Sequence, residues 1–342
     1  MIAFDLPTFW FVLVGVLFAG YAILDGFDLG VGGLHLFTKT DEERRIMMNS
    51  IGPVWDGNEV WLVTGGGALF AAFPEVYATV FSGFYDAFMF LLFALIFRAV
   101  AIELRSKQPQ RFWRRGWDIA FAGGSVLSSF LIGVAMGNVA WGIPLDENHE
   151  FTGNLLTLLH PYALLLGVTT VALFLMHGNI YLILKTEGML HEKLKRWVKI
   201  TIPIYMVLFL IVGISTPIVC EHIGLAFQER PYILSLLFIL ALLLAFNIPR
   251  EVYKGREFIA FLSSCGSMIA LMTLFGASVY PTMVFSSPNI VNSLTIYNGS
   301  STEKTLGFMM IVALIGVPIV ITYTVSVYYI FRGKVKLTEE SY

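Results

Sequence analysis

The sequence predicts an all-α integral membrane protein with nine transmembrane helices, and three observations lead to this fold class. Hydrophobic residues make up 57% of the 342 residues and charged residues only 13%, against ~45–50% and ~25% in an ordinary soluble domain. Nine runs are apolar over about 20 residues, the length that a helix needs to cross a bilayer. The basic residues lie in alternate connections between these runs. This composition excludes a soluble enzyme and a disordered chain, and a net charge of −2 gives no basic surface for nucleic acid.

The nine runs follow one another along the chain with short connections. They are Phe9–Leu36, Trp55–Phe73, Tyr77–Phe97, Trp117–Trp141, Leu155–Leu184, Val198–Cys220, Tyr232–Ile248, Phe258–Met283 and Leu306–Phe331. No separate extramembrane domain and no internal repeat is predicted. Residues 1–342 are therefore expected to form a single polytopic membrane domain.

The distribution of Lys and Arg predicts the orientation. If the N-terminus is outside, 20 of the 22 basic residues lie in inner segments, and only Arg230 and Lys304 lie in outer ones. Positively charged loops stay in the cytoplasm. We therefore predict an N-terminus outside, a C-terminus in the cytoplasm, a cytoplasmic Leu104–Gly116 connection and an outer Ser286–Thr305 connection.

The first run carries two carboxyl groups. Asp25 and Asp28 are three residues apart and share one helix face. Gly26 and Gly30 form a GxxxG pair, which lets another helix approach closely. Two carboxylates on a closely packed face indicate a proton relay or an ion site. The alternative is that this long run protrudes and both aspartates lie in the headgroup layer.

Further charged groups lie on the same predicted side in the next two runs. They are Asp56, Glu59, Arg98 and Glu103. Clustered carboxylates near an arginine suit protons that arrive from the cytoplasm. Two simpler explanations stay open: Asp56 is an N-cap or first-turn carboxylate, and the others are charges that snorkel to the interface.

Asp86 differs from these groups because it lies near the middle of the run Tyr77–Phe97. A carboxyl group at that depth must be paired, hydrogen-bonded or protonated. We therefore expect an additional buried carboxylate there.

Metal and heme ligands are scarce in this sequence. Cys220 and Cys265 form no CxxC or Cys/His pattern, so no metal site is predicted. Of six histidines, only His177 lies well inside a run, where a bundle heme usually takes axial His or Met from facing helices. A single buried histidine is more often a hydrogen-bonded structural group.

Four long segments stand out as blocks: Gly20–Gly32, Asn49–Leu62, Gly65–Pro74 and Phe97–Arg105. Together they resemble subunit II of the bacterial cytochrome bd quinol oxidases. The similarity extends along the chain and weakens after about Ile143. Ungapped blocks of this length are more specific than a short motif, and the nine-helix topology agrees with the family independently.

The resemblance implies a membrane subunit that pairs with a larger, homologous subunit I, each built of two four-helix bundles plus one further helix. The implied complex is a terminal oxidase of the bacterial cytoplasmic membrane. It oxidises quinol, reduces O2 to water with cytoplasmic protons, and conserves energy as a proton gradient. Heme b and heme d are expected in subunit I and not in this chain.

The resemblance also implies roles for particular residues. The family's cytoplasmic proton route falls here on Asp25 or Asp28, Asp56, Arg98 and Glu103, and Trp61 corresponds to a tryptophan that lines an oxygen route in some members. Glu103 replaces an aspartate of some relatives, which changes reach but not charge. Asp86 has an apolar counterpart, so the resemblance assigns it no role.

Several partners and alternatives stay open at the level of sequence. The quinol is ubiquinol or menaquinol, and a structural quinone in this chain, a small third subunit and bound membrane lipids are undecided. A secondary transporter or ion channel is the main alternative function, although the repeats and paired interrupted helices typical of transporters are missing. A self-sufficient heme cytochrome is disfavoured by the scarcity of histidine.

Overall fold

A computed structural model describes residues 5–337 of the chain, which are almost entirely helical. The helices are α1 (Leu6–Leu34), α2 (Asp41–Ile51), α3 (Trp55–Ala72), α4 (Pro74–Gly83), α5 (Tyr85–Leu104), α6 (Arg111–Trp141), α7 (Pro161–Lys185), α8 (Gly188–Val219), α9 (Glu221–Glu229), α10 (Pro231–Tyr253), α11 (Glu257–Val279) and α12 (Glu303–Ile330). Short 3-10 turns lie at His35–Phe37, Arg105–Lys107, Thr157–Leu159 and Ile290–Asn292.

Eight helices within residues 5–337 are long and apolar enough to cross a membrane: α1, α5, α6, α7, α8, α10, α11 and α12. Each coincides with one predicted run. The remaining run, Trp55–Phe73, forms the 18-residue helix α3, which is not among the eight. Its first turns carry Asp56, Asn58 and Glu59, and these polar residues lower its hydropathy.

The predicted run Tyr77–Phe97 is divided in the structure. Helix α4 ends at Gly83 and α5 begins at Tyr85. At this break the side chain of Phe151, from the connection between α6 and α7, packs so closely that a Cβ on Gly83 would lie 2.7 Å from it. The expectation of a buried Asp86 is therefore wrong. Asp86 lies exposed in the first turn of α5, where the helix dipole favours a carboxylate.

Helix α1 is the central element and packs against α3, α6, α7 and α11. Its closest neighbour is α7, because a Cβ on Gly30 would lie only 1.8 Å from the carbonyl oxygen of Phe174, and one on Gly178 would lie 2.6 Å from the carbonyl carbon of Gly30. The predicted close approach at the GxxxG pair is confirmed.

The connection between α11 and α12 contains a small departure from an all-α fold. Thr282–Val284 (β1) pairs antiparallel with Leu294–Thr295 (β2). The predicted run Phe258–Met283 therefore ends early, with α11 finishing at Val279. The cis bond between Tyr280 and Pro281 lies in the turn that follows.

Helix α12 packs only lightly on the rest of the chain but is attached at several points. At one end, Trp10 Nε1 donates to the carbonyl of Leu306 (3.1 Å). At the other, the segment after α12 returns to α7 and α11: the backbone N–H of Val335 donates to Lys185 O (2.9 Å), and Lys334 Nζ lies 2.7 Å from a Glu257 oxygen. These contacts fix the helix although Leu306 is the only buried one of its 28 described residues.

Candidate functional site

A fully buried arginine joins three helices. Arg98 of α5 donates from Nη2 to Asp25 Oδ1 of α1 (2.7 Å), and Asp28 Oδ2 lies 3.9 Å away. Its Nη1 donates to Glu59 of α3. Arg98, Asp25 and Asp28 expose none of their side-chain surface, whereas Glu59 exposes 25%. The predicted grouping of Asp25, Asp28 and Arg98 is present, and Glu59 completes the Arg98 cluster.

Neutral polar groups extend the Arg98 cluster toward α12. Asn58 Nδ2 donates to Asp28 Oδ2 (2.7 Å) and to the carbonyl of Leu24 (3.1 Å). The hydroxyl of Tyr328, from α12, donates to Asn58 Oδ1 (2.9 Å). Sequence patterns did not single out Asn58 or Tyr328. Asn58 lay within a block of the family resemblance, but Tyr328 carried no signal, because it is 270 residues away along the chain.

Two carboxyl oxygens in the cluster are unpartnered. Among the described residues, neither Asp25 Oδ2 nor Asp28 Oδ1 has a hydrogen-bond partner, although both atoms are buried. A buried polar atom without a protein partner is costly unless it binds water or a proton. Asp25 Oδ2 and Asp28 Oδ1 can therefore each accept a hydrogen bond from water or take up a proton.

Two predicted members lie outside this buried group. Asp56 is exposed in the first turn of α3, three residues before Glu59, so the two share a face. Asp56 is not the N-cap, which is Val54. Glu103 is exposed near the end of α5 and follows Arg98 by five residues, about 140° around the helix. Its carboxylate therefore faces away from the cluster.

Trp61 lies on the face of α3 that contacts α1. Its ring covers Gly20 so closely that a Cβ there would lie 2.3 Å from Trp61 Cε3. The glycine is needed because any side chain would displace the indole. The structure thus places Trp61 in the same α1/α3 contact that holds the carboxylates.

A second ion cluster, not predicted from the sequence, lies beyond the end of α1. Asp118 Oδ1 lies 2.6 Å from His35 Nε2 and accepts from Arg105 Nε at 2.5 Å, and Asp118 Oδ2 accepts from Arg44 Nη1 at 2.8 Å. Arg105 also donates to Asp41 (2.7 Å). The sequence signal that could have indicated this cluster is Asp118 itself, a single acidic residue shortly after the basic segment 111–115. The cluster connects α1, α2, α5 and α6.

Both ring nitrogens of the buried His177 have hydrogen-bond partners. His177 Nδ1 lies 2.7 Å from the Ser264 hydroxyl, and Nε2 lies 3.0 Å from the carbonyl oxygen of Ile23. These two contacts are the ones expected of a hydrogen-bonded structural group. Across residues 5–337, no three His, Cys, Asp or Glu side chains are grouped as a metal site.

Comparison with known proteins gives consistent matches. The family model described as cytochrome bd terminal oxidase subunit II matches residues 6–331. The chain is 36% identical to cytochrome bd-I ubiquinol oxidase subunit 2 of Escherichia coli K12, over 98% of this chain and 97% of that protein. It is 35% identical to cytochrome bd ubiquinol oxidase subunit 2 of Bacillus subtilis 168, over 98% of each.

A solved structure shares the fold. One chain in the structure of the bd oxidase from Geobacillus thermodenitrificans superposes with a TM-score of 0.79, covering 96% of this chain and 98% of that one, at 15% sequence identity. At this identity the likeness supports the arrangement of helices alone.

Proposed function

We propose, from the premise that the chain belongs to the cytochrome bd terminal oxidase subunit II family, that its Arg98 cluster is the proton uptake route of the oxidase. As a family member, the chain is a multi-pass protein of the bacterial inner membrane and one subunit of a quinol oxidase. The finer assignment concerns how protons reach the partner subunit.

The observation that carries the proposal is the charge balance of the cluster. Three carboxyl groups, from Asp25, Asp28 and Glu59, surround one guanidinium. An uncompensated charge inside a membrane is expensive, so neutrality requires protons on some of these carboxyls. Groups that share protons and have unpartnered oxygens are suited to pass protons through bound water.

The exposed end of the route is at α3. Asp56 is exposed, and Glu59, one helical turn later, is the one partly exposed carboxylate of the cluster. Protons would be collected at Asp56, pass to Glu59, and move between the carboxyls that Arg98 holds. The positions of the basic residues support a cytoplasmic location for this end of α3, from which protons would enter from the inside. Glu103, whose carboxylate faces away from the Arg98 cluster, is proposed to act only as a further acidic group at the cytoplasmic end of α5.

The partner is subunit I, which we propose to carry heme b and heme d and to react with quinol and O2. We propose that it covers α3 and α12. Asp56 and Glu59 leave polar surface open on α3, where lipid contact would be unfavourable. Helix α12 exposes apolar residues along its length, including Phe308, Ile315 and Tyr323.

With subunit I in this position, α3 becomes the ninth spanning helix. Its polar first turns are then covered by protein and water instead of lipid. Nine spans put the two termini on opposite sides of the membrane, and an N-terminus outside is the orientation that leaves 20 of the 22 basic residues inside. We propose that the helices form two four-helix bundles plus one further helix.

Trp61 is proposed to border an oxygen path along the α1/α3 contact. Its ring fills the space above Gly20, and the exposed apolar residues Val60 and Val63 flank it on α3. A small apolar gas needs apolar space more than polar contacts. The size of the Trp61 side chain therefore sets how easily oxygen passes.

The experiment that tests the proton route compares Asp25→Asn with Asp86→Asn in the purified two-subunit complex. Asn keeps an acceptor for Arg98 but cannot hold the shared proton, so quinol-driven oxygen uptake should fall by about tenfold or more with heme content unchanged. Asp86→Asn changes an exposed carboxyl and should leave uptake unaltered. Full uptake by Asp25→Asn would reject the route, and loss of heme would show that Asp25 serves assembly.

The alternatives from other classes have less support. A transporter or channel is not favoured by the family to which the chain belongs. A self-sufficient heme cytochrome is opposed by His177, whose ring nitrogens are both engaged.

A further inference from the structure

An apolar groove lies between α8 and α10, far from the Arg98 cluster. Its volume is about 700 Å³, within the range of about 300–1,000 Å³ that is usual for binding sites of small molecules. It is lined by Lys195, Val198, Lys199, Ile202, Pro203, Met206, Val207, Phe246, Pro249, Val252 and Tyr253. Except for the two lysines and a tyrosine, the lining carries no polar side chain.

Two prolines account for the opening. Pro203 lies inside α8 and Pro249 inside α10, and both line the groove. A proline in a helix removes one backbone hydrogen bond, and its ring clashes with the carbonyl four residues earlier, which bends the helix. Helices with prolines on facing surfaces cannot pack closely there. The groove is therefore a built-in feature of the two helices.

The charges of the groove are all at one end. Lys195 and Lys199 are one helical turn apart and lie on the same side of α8. The predicted membrane run begins at Val198, so both ammonium groups lie at headgroup level. Within residues 5–337, the one ion pair of these two lysines is that of Lys195 with the exposed Glu192, at 3.3 Å. No acidic side chain of the described residues lines the groove.

Tyr253 marks the same level on α10. Its side chain is 93% exposed, and tyrosine is enriched where the bilayer core meets the headgroups. Lys195, Lys199 and Tyr253 thus border one end of the apolar groove. A lipid phosphodiester would accept from both lysines. In phosphatidylcholine the quaternary ammonium of the headgroup compensates the phosphate charge and would lie beside the two lysines, whereas an anionic headgroup brings no cation of its own.

We propose that this groove binds an anionic phospholipid as a specific ligand. One acyl chain lies along Ile202, Met206 and Phe246, and the phosphate accepts hydrogen bonds from Lys195 and Lys199. Basic residues near a membrane surface attract anionic lipid. With the proposed topology the groove opens in the inner leaflet, but the proposed lipid binding does not depend on that topology.

The test uses the purified two-subunit complex, delipidated in mild detergent and titrated with phosphatidylglycerol or phosphatidylcholine. Native mass spectrometry counts the bound lipids. Phosphatidylglycerol should bind at one saturable site and phosphatidylcholine should not. The double variant Lys195→Ala, Lys199→Ala should lower phosphatidylglycerol affinity about tenfold or more, since each basic residue near an anionic lipid contributes about fivefold. Arg196→Ala, on another face of α8, is the matched control.

A second pair of variants tests the apolar part without changing charge. Val207 lines the groove and is 57% exposed, so Val207→Trp fills the groove without disturbing the core. Ile211, one turn later and 46% exposed, does not line it. We expect Val207→Trp to reduce phosphatidylglycerol binding and Ile211→Trp to leave it unchanged. Three results would overturn the proposal. They are equal binding of phosphatidylglycerol and phosphatidylcholine, displacement of bound phosphatidylglycerol by quinone, and unchanged phosphatidylglycerol binding in both the double lysine variant and Val207→Trp.

Discussion

Arg98 is the residue on which the proposed route depends, because its guanidinium contacts α1 and α3 from α5. Three acidic side chains compete for one cation, and the two that are fully buried each keep an unpartnered oxygen. A fully satisfied network would hold its protons tightly, whereas this one leaves bonding capacity unused. Incomplete satisfaction at this place is consistent with transfer rather than with stability.

Asp56→Asn tests proton collection at the start of α3, where Asp56 is not the N-cap. Asp56 is exposed in the first turn of α3, where asparagine keeps a polar side chain. Assembly and heme content should survive, while quinol-driven oxygen uptake falls by about tenfold or more because the surface carboxyl is lost. Heme content and uptake are measured on the same preparation. Unchanged uptake would show that the Asp56 carboxyl does not collect protons, and loss of heme would indicate a role in subunit packing.

Trp61→Phe tests the proposed oxygen path. The smaller ring opens space above Gly20, so the apparent affinity for oxygen should change while that for quinol stays the same. Oxygen consumption measured at limiting oxygen and at limiting quinol gives both values. A variant with altered quinol affinity and unaltered oxygen affinity would contradict this role.

Sequence predicted single residues when their partners were close in the chain or on one helix face. Asp25 and Asp28 were recognised by their spacing and Arg98 by its charge on the same predicted side, and the family resemblance added a role for them. Asp118 was missed because its partners His35 and Arg44 come from elements more than 70 residues away. Membrane depth was predicted poorly for Asp86, because nothing near it in sequence shows that Phe151 packs at the helix break.

At the scale of elements, the contact between α1 and α7 is the tightest close approach of two helices. The atoms nearest to a new Cβ at Gly30 are backbone atoms of α7, which cannot rotate away as a side chain can. Small residues at such contacts allow the dispersion and backbone interactions that hold membrane helices together. The position therefore tolerates no side chain.

Gly30→Ala should lower the stability of the complex by about 1–3 kcal/mol or more, since overpacking forces backbone shifts. Gly15→Ala on the same helix is the control, because nothing lies within 4 Å of its Cβ position, and replacing glycine in a helix with alanine gains about 1 kcal/mol. The Tm of the two variants should move in opposite directions. An unshifted Tm for Gly30→Ala would contradict the contact.

Apolar periodicity located nearly every long helix, because lipid requires continuous apolar segments. It could not show that α5 is apolar enough to cross a membrane whereas α3 is not. The run Trp55–Phe73 is helical but polar at its start, and it contacts α1 and α12. Helix ends were also misplaced where tertiary contacts terminate them, as at Val279, where the chain turns into a short strand.

For the whole molecule, the charge asymmetry makes a direct prediction about sidedness. A cysteine introduced at Arg111 should react with a membrane-impermeant reagent only after the membrane is opened. A cysteine at Ser300 should react in intact cells, because it lies in the predicted outer connection. Replacing Cys220 and Cys265 beforehand removes the native thiols. Labelling at Arg111 but not Ser300 in intact cells would reverse the topology.

The attachment of α12 at both ends bears on the energetics of assembly. Trp10 fixes one end, and Lys334 and Val335 fix the other, while Tyr328 contacts Asn58 between them. The helix therefore holds its position before any second chain arrives. Two proteins that meet lose translational and rotational freedom in any case, but a surface that is already ordered adds no further entropic penalty. Subunit I would then bind to an already ordered α12, and its binding energy would not be spent on ordering that helix.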